Sequence, residues 1–269
     1  MMELTLDQGA TALAPWSGLR EAVRSTILLG WREVRTAFRT PAYLLPNLIV
    51  PVFFYFVMVG SLDTFAGGFG IDNWEAFQLP LAILFAVQGG SAGLNMVADI
   101  ESGYFDKLLV TPTNRLSILV GALSADFLRI MVQATLVLVV AIAVGLDFAT
   151  GLPGALTLIL LSSAWGLPYS GIGFAIALKT GNAQATQSMW VLFMPLLFLT
   201  TAFAPKEALS GWLETAAMFN PMTYLLDGMR SLSLYGWDAG DLAGAVLAVV
   251  GLGSVTLTLA FLALRSRIR

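Results

Sequence analysis

The stretch Asp99-Ile-Glu-Ser-Gly-Tyr-Phe-Asp-Lys-Leu-Leu-Val-Thr-Pro112 is a charged island between two long apolar runs. Acidic residues near its start, apolar residues behind them and a proline at its end predict a short surface helix. Such a helix could dock into the groove of a partner protein, with the two leucines as its apolar anchor. An ordinary solvated loop is the alternative. The candidate docking residues are Glu101, Gly103, Asp106, Leu108, Leu109, Thr111 and Pro112.

The composition around this island indicates a membrane protein. Hydrophobic residues make up 57% of the chain and charged residues only 12%, whereas soluble domains have about 25% charged residues. The chain contains neither Cys nor His, so it lacks thiolate chemistry and the commonest metal ligand. It also contains no GxxxxGK[ST] phosphate-binding loop. We therefore predict no catalytic residue, metal site or cofactor in this chain, which is not expected to be an enzyme by itself.

Apolar runs of membrane-crossing length predict an all-α polytopic membrane protein. Residues 1–16 are expected to be disordered, and residues 17–269 to form a single transmembrane domain. Small residues in the second and fourth spans, such as Gly93, Gly171 and Gly173, predict close helix packing. The six predicted spans are residues 43–62, 76–98, 116–144, 153–178, 185–203 and 242–264.

Two charged residues interrupt the third span. Asp126 and Arg129 are three residues apart, so they share one face of a helix. Because isolated charges are costly inside a membrane, we predict an ion pair near the membrane interface. Contact with a transported molecule is the second interpretation.

Residues 17–39 have the pattern of an amphipathic helix. Apolar residues such as Ile27 and Val34 recur at helical spacing beside a basic strip. We expect this helix to lie on the cytoplasmic surface of the membrane, among anionic lipid head groups. A helix packed on a soluble core is the alternative. The candidate interfacial residues are Arg20, Arg24, Trp31, Arg32, Arg35 and Arg39.

Residues 204–241 are not apolar enough to cross a membrane, but they have helical periodicity. Two short amphipathic helices, broken at Asn220-Pro221, predict an external re-entrant hairpin that dips into the outer leaflet between spans five and six. The candidate hairpin residues are Pro205, Glu207, Trp212, Asn220, Pro221 and Arg230.

The basic residues are distributed unequally between the two sides that six spans would create. One side holds the N-terminal arginines, Lys107, Arg115, Lys179 and the C-terminal arginines, whereas the other holds only Lys206 and Arg230. The positive-inside rule therefore predicts that both termini and the charged island are cytoplasmic.

The spacing Glu101-x-Gly103-x-x-Asp106-x-Leu108-x-x-Thr111-Pro112 resembles the cytoplasmic motif of ABC-2 type permeases, which follows their second membrane helix. That family usually has Thr after the Gly and Glu in place of Asp106. The order Pro, acid, Trp-Leu and Asn-Pro before the last span is also similar to the family.

The resemblance implies a daunorubicin-resistance-like permease subunit of an ATP-binding-cassette exporter in the cell membrane. Its implied partners are separate ATPase subunits, which bind ATP and Mg, a second permease that is the same or a related chain, and membrane lipid. The implied substrate is an amphipathic drug or lipid-like molecule, moved out of the cytoplasm or the inner leaflet. No nucleic-acid partner is implied. A secondary transporter or channel without an ATPase is the alternative, and a membrane enzyme acting on lipid is a third class.

Overall fold

The structure, a computed structural model, describes residues 24, 27–28, 31, 35, 41–66, 71, 73–88, 92–110 and 115–267. This part of the chain is helical and contains no strand. In chain order, the helices are α1 (Pro41–Ala66), α2 (Trp74–Gln88), α3 (Ala92–Glu101), α4 (Tyr104–Val110), α5 (Arg115–Val144), α6 (Gly151–Thr180), α7 (Ala183–Gln187), α8 (Met189–Phe198), α9 (Trp212–Phe219), α10 (Pro221–Arg230) and α11 (Ala239–Arg267).

Four stretches of the described chain are long and apolar enough to cross a membrane. They are α2 with α3, α5 from Leu116, α6 and α11. These stretches fall on the second, third, fourth and sixth spans predicted from the sequence. The molecule is therefore a multi-pass membrane protein.

The other two predicted spans do not coincide with a stretch of spanning length. The first lies in α1, whose described apolar part is the shorter segment Ile49–Ser61. The fifth, residues 185–203, is broken at Ser188 between α7 and α8. Because α8 has 10 residues, its rise is about 15 Å, half the thickness of a hydrocarbon core. The described residues thus show four stretches of spanning length, where the sequence predicts six spans.

Helix α6 is the centre of the bundle and packs against α3, α5 and α11. Small residues allow these contacts. A Cβ atom built on Gly93 of α3 would lie 2.8 Å from the carbonyl oxygen of Gly173, and one built on Gly171 would lie 3.1 Å from the backbone of Thr256 in α11. The prediction of close packing at these glycines is confirmed.

Helix ends and side-chain contacts define the two ends of the bundle. At one end, the guanidinium of Arg267 donates to the carbonyl oxygen of Leu178 at 2.8 Å, and both Arg267 and Ile100 lie beside Gly181. We call this the α3–α4 end. At the opposite end, the Asn73 side chain donates to the Asp147 carbonyl at 3.3 Å. Each end has its own buried apolar cluster.

Candidate functional site

The charged island forms a tight turn between α3 and α4. Helix α3 ends at Glu101, and α4 begins at Tyr104. Gly103 adopts a φ of 68°, in the left-handed region that favours glycine, and its N–H donates to the Ile100 carbonyl at 3.0 Å. The turn places the carboxyl-bearing side chains of Glu101 and Asp106 at the surface. Thr111 and Pro112 lie outside the described residues.

Helix α4 has an inner and an outer face. Phe105 is fully buried in a cluster with Leu119 of α5 and Phe174 of α6. Leu108 and Leu109 are half-buried against that same cluster. These leucines, predicted as the apolar anchor for a partner, pack on the chain's own core. Val110 is the exposed apolar residue of α4, at 85% of its surface.

Sequence reasoning missed Phe105 and Val110. The helical period could have located Phe105, since Phe105, Leu108 and Leu109 are spaced i, i+3 and i+4 and so form one apolar face of α4. Val110 lies off that face.

The described residues of the N-terminal segment are helical. Arg24, Trp31 and Arg35 are exposed, and Trp31 exposes 65% of its surface. Exposure of so large an apolar ring disfavours the alternative in which this helix packs on a core. Arg20, Arg32 and Arg39 lie outside the described residues.

At the opposite end, the two short helices broken at Asn220-Pro221 form as α9 and α10. Asn220 caps α10 by accepting from the Met222 N–H, and its amide donates to the carbonyl of Leu196 within α8 and to that of Leu199 just after α8. Pro221 is the first residue of α10, as a helix start favours. Trp212, which begins α9, is 74% exposed. Pro205 precedes a single turn of 3-10 helix, Lys206–Ala208, that includes the backbone of Glu207.

Arg230, a candidate residue of the external hairpin, is buried where three segments meet. Its guanidinium donates to the carbonyls of Phe77 at 3.3 Å, Thr201 at 2.7 Å and Ala202 at 3.0 Å. It also lies over the Phe77 ring, 3.6 Å from the centroid. Arg230 therefore ties α10 to α2 and to the segment after α8.

Burial shifts the pKa values of two charged side chains in this region. It lowers the pKa of Arg230 to about 10, although the nearby Asp227 carboxylate opposes that shift. Burial likewise raises the pKa of Asp227, and the Arg230 charge opposes that change. Arg230 remains a cation at neutral pH.

The charged pair of the third span is formed, and it is buried. The Arg129 guanidinium lies 3.1 Å from the Asp126 carboxylate, which also accepts from the Ser170 hydroxyl of α6 at 2.8 Å. Arg129 donates further to Gln133 at 3.4 Å. The ion pair is confirmed, but it lies between α5 and α6, eleven residues from Arg115 at the start of α5, which is a rise of about 16 Å. The described residues bring no three His, Cys, Asp or Glu side chains together as a metal site.

Comparison with known proteins places the chain among membrane transporters. The model of the ABC-2 type transporter family matches residues 24–234. The daunorubicin resistance ABC transporter permease protein DrrB1 of Streptomyces coeruleorubidus is 26% identical, over 81% of this chain and 79% of that protein. The putative transport permease ycf38 of Cyanophora paradoxa is 30% identical, over 72% of this chain and 69% of that protein. The probable doxorubicin resistance ABC transporter permease protein DrrC of Mycobacterium tuberculosis (strain CDC 1551 / Oshkosh) is 22% identical, over 76% and 75% respectively.

The family match includes the charged turn between α3 and α4, the buried pair of α5 and the whole of α10. It covers most of the chain. The chain belongs to the ABC-2 type transporter family.

Proposed function

We propose that this chain is the permease subunit of an ATP-driven exporter. The observation that carries the proposal is the turn at Glu101–Gly103 with α4, which presents charge and an apolar tip at one end of a membrane bundle. Relatives named as drug resistance permeases support this reading. The energy comes from a separate ATPase, since this chain has no phosphate-binding loop of its own. That ATPase binds ATP and Mg.

The ATPase docks on the outer face of α4, where Glu101, Asp106 and Val110 are exposed. Phe105 then transmits its movement, because this ring packs with Leu119 and Phe174 of the two neighbouring long helices. A small displacement of α4 must shift these close-packed side chains. The half-buried Leu108 and Leu109 move together with Phe105, and α4 turns about Gly103.

The α3–α4 end faces the cytoplasm, and α9 and α10 face the exterior. Lys107, Lys179 and Arg267 lie at the first end, as the positive-inside rule requires of a cytoplasmic side. We propose that α1 and the α7–α8 segment also cross the membrane, so that both termini are cytoplasmic, and that the exposed Arg24, Trp31 and Arg35 belong to a helix on the inner membrane surface. An impermeant maleimide applied to intact cells should label Trp212→Cys and spare Asp106→Cys, and the reverse pattern would reject this orientation.

The permease works as a pair, with a second copy or a related chain. Its substrate is an amphipathic drug or lipid-like molecule. Exposed apolar side chains along α8, including Trp190, Val191 and Phe198, support a surface in contact with lipid or with the second subunit.

Co-purification tests this function. The affinity-tagged chain, extracted from its native membrane, should carry a Mg-dependent ATPase activity with it. Val110→Asp should lower that retained activity at least tenfold, because a charge replaces the apolar tip of a small interface. Val144→Asp is the matched control and should retain the activity. Val144 is also an exposed valine, but it is the last residue of α5, at the end of that helix far from α4. A wild-type chain that retains no ATPase, or a Val110→Asp chain that retains all of it, would refute the proposal.

A further inference from the structure

A small polar pocket lies beside the charged pair of α5, between α3, α5 and α6. Its cavity volume is about 30 Å³, and a cavity needs roughly 10–15 Å³ to hold one water molecule. The pocket therefore has room for about two water molecules and not for a larger ligand. We call it the polar inlet, and it is defined by Asn95, Asp99, Ala122, Ala125 and Asp126.

The mouth of the polar inlet lies toward the α3–α4 end of the bundle. Asn95 is exposed there, and Asp99, in the last turn of α3, is half-buried, as is Ala122 of α5. The floor of the inlet is buried instead, since Ala125 is 7% exposed and Asp126 is 4% exposed. The inlet thus leads from the surface to the carboxylate of the buried ion pair.

The walls of the polar inlet have the chemistry that holds water. A water molecule inside a protein makes about 2–4 hydrogen bonds to polar groups, whereas an apolar cavity stays dry. Asn95, Asp99 and Asp126 supply one amide and two carboxylates. Because the two charged side chains of the lining are both carboxylates, a small cation enters the inlet more readily than an anion.

A polar side chain behind the ion pair is a second sign of water. Arg129 pairs with Asp126 and donates to the amide oxygen of Gln133 at 3.4 Å. Gln133 is 2% exposed, and its amide nitrogen has no hydrogen-bond partner among the described residues. Buried polar groups that lack a protein partner are normally satisfied by ordered water. The polar inlet leads toward this group.

We propose that the polar inlet admits water from the α3–α4 end of the bundle to the buried pair of Asp126 and Arg129. The inlet is closed beyond that pair, because Ile130 and Ala134 on the next turns of α5 are 1% and 0% exposed. Water in the inlet lowers the desolvation cost of two charges that lie far from the end of their helix.

One wall of the polar inlet is shared with the apolar cluster of α4. Phe174 lines the inlet and is fully buried in the same cluster as Phe105. Close-packed side chains do not move independently of each other. A displacement of α4, which the function proposed above requires, therefore changes the inlet, whereas the hydration of the ion pair does not depend on that function.

Hydrogen peroxide tests the polar inlet on the unmodified chain in lipid nanodiscs. It oxidises a methionine to the sulfoxide where the sulfur is accessible, and mass spectrometry measures each rate. Met96 lines the inlet and is 5% exposed. Met189 is the matched control, since it is 6% exposed but lines an apolar cleft between α6, α8, α10 and α11. Met96 should be oxidised at least fivefold faster than Met189, and equal rates would overturn the proposal.

A variant at the mouth of the inlet adds a second comparison. Ala122→Leu fills the mouth and should slow the oxidation of Met96 at least fivefold, whereas Ala122→Ser keeps the mouth small and polar and should not slow it. Met218, which is 43% exposed at the opposite end, should be oxidised equally in both variants. The same Met96 rate in both would contradict the proposal. If Ala122→Leu does not fold, the comparison of Met96 with Met189 decides.

Reach to the ion pair is measured with the silver ion, a cation close to water in size. The chain has no Cys, so Ala125→Cys places a single thiol next to Asp126, and Ala134→Cys places one beyond the pair on the same helix. Thiolates bind soft metal ions. Silver should block later maleimide labelling of the unfolded Ala125→Cys chain at least tenfold faster than that of Ala134→Cys.

Equal blocking rates of the two thiols would overturn the proposal. Ser163→Cys, at a residue of α6 that is 0% exposed, replaces Ala134→Cys if that control does not fold. If Ala125→Cys does not fold, the Met96 comparison on the unmodified chain decides. These assays use neither ATP nor an ATPase, so their failure is distinct from failure of the exporter function.

Discussion

At the scale of single residues, two buried arginines hold the bundle together by different means. Arg230 donates to three backbone carbonyls from two distant segments, α2 and the segment after α8, so it fixes the positions of those segments. Arg129 instead pairs with Asp126 on its own helix, and that carboxylate accepts from Ser170. A buried charge without compensation costs several kcal/mol. The two arrangements thus stabilise the tertiary structure at one end and in the middle of the bundle, respectively.

The pair in α5 gives a prediction about stability. Asp126→Leu or Arg129→Met alone should lower the free energy of unfolding by about 3 kcal/mol or more, because each leaves one buried charge without its partner. The double variant should lose less than either single variant. Unfolding by sodium dodecyl sulfate, followed by tryptophan fluorescence, measures these values.

Lys206→Leu is the control for those variants. Its side chain is exposed, so the change should alter stability by less than about 0.5 kcal/mol. Additive losses in the double variant would show that the two charges do not stabilise each other.

The residues that sequence patterns located are those whose partners are near in the chain. The spacing of Asp126 and Arg129 is enough to predict their ion pair, because both lie on one helix. It does not predict Ser170, which comes from another helix. The burial of Arg230 was not predictable for the same reason, since its acceptors at Phe77 and Thr201 are far away in sequence.

At the scale of helices, α6 holds the fold because it has small residues on several faces. Gly173 meets α3, Gly171 meets α11, and Gly166 lies against Ile130 of α5. Close backbone approach lets dispersion contacts act between helices where lipid offers no hydrophobic drive. The cost is that these positions cannot accept a larger side chain.

Gly93→Ala should therefore destabilise the bundle by about 1–3 kcal/mol, through overpacking. The new Cβ would lie 2.8 Å from the Gly173 carbonyl oxygen and 2.4 Å from the Thr186 side chain. Gly251→Ala in α11 is the control, because nothing lies within 4 Å of its Cβ position. Since Ala is favoured over Gly in helices by about 1 kcal/mol, the control should be neutral or stabilising. Thermal unfolding in detergent compares the two, and a Gly93→Ala chain as stable as Gly251→Ala would show that α3 and α6 do not pack this closely.

Helix lengths were predictable where apolar runs are uninterrupted, as in α5 and α11. The break at Ser188 between α7 and α8 was not, because every flanking residue suits a helix and the interruption depends on packing. The short α4 was predicted as a surface helix, but its inner face was not recognised. Only the contacts of Phe105 with two other helices reveal it.

At the scale of the whole molecule, each end has a different chemistry. The α3–α4 end carries the exposed turn and the basic ends of α6 and α11, whereas the opposite end holds α10, pinned by Arg230. The long helices α5, α6 and α11 connect them. The charge distribution along the sequence was sufficient to predict that basic residues gather at one end, because this needs only the order of the spans. Which side of the membrane that end faces stays a prediction from the positive-inside rule. The cleft between α6, α8, α10 and α11 was not predictable, since its lining comes from four helices.

In the proposed mechanism, force from an ATPase enters the bundle through α4. The most direct test is ATP-driven movement of the amphipathic dye Hoechst 33342 in proteoliposomes that contain this chain and its co-purified ATPase. The wild type and Val144→Asp should accumulate the dye only when ATP and Mg are present on the side of the ATPase. Val110→Asp should lose at least nine-tenths of that transport at equal abundance in the membrane. Dye movement that continues without ATP, or that is as fast in Val110→Asp as in Val144→Asp, would contradict the account.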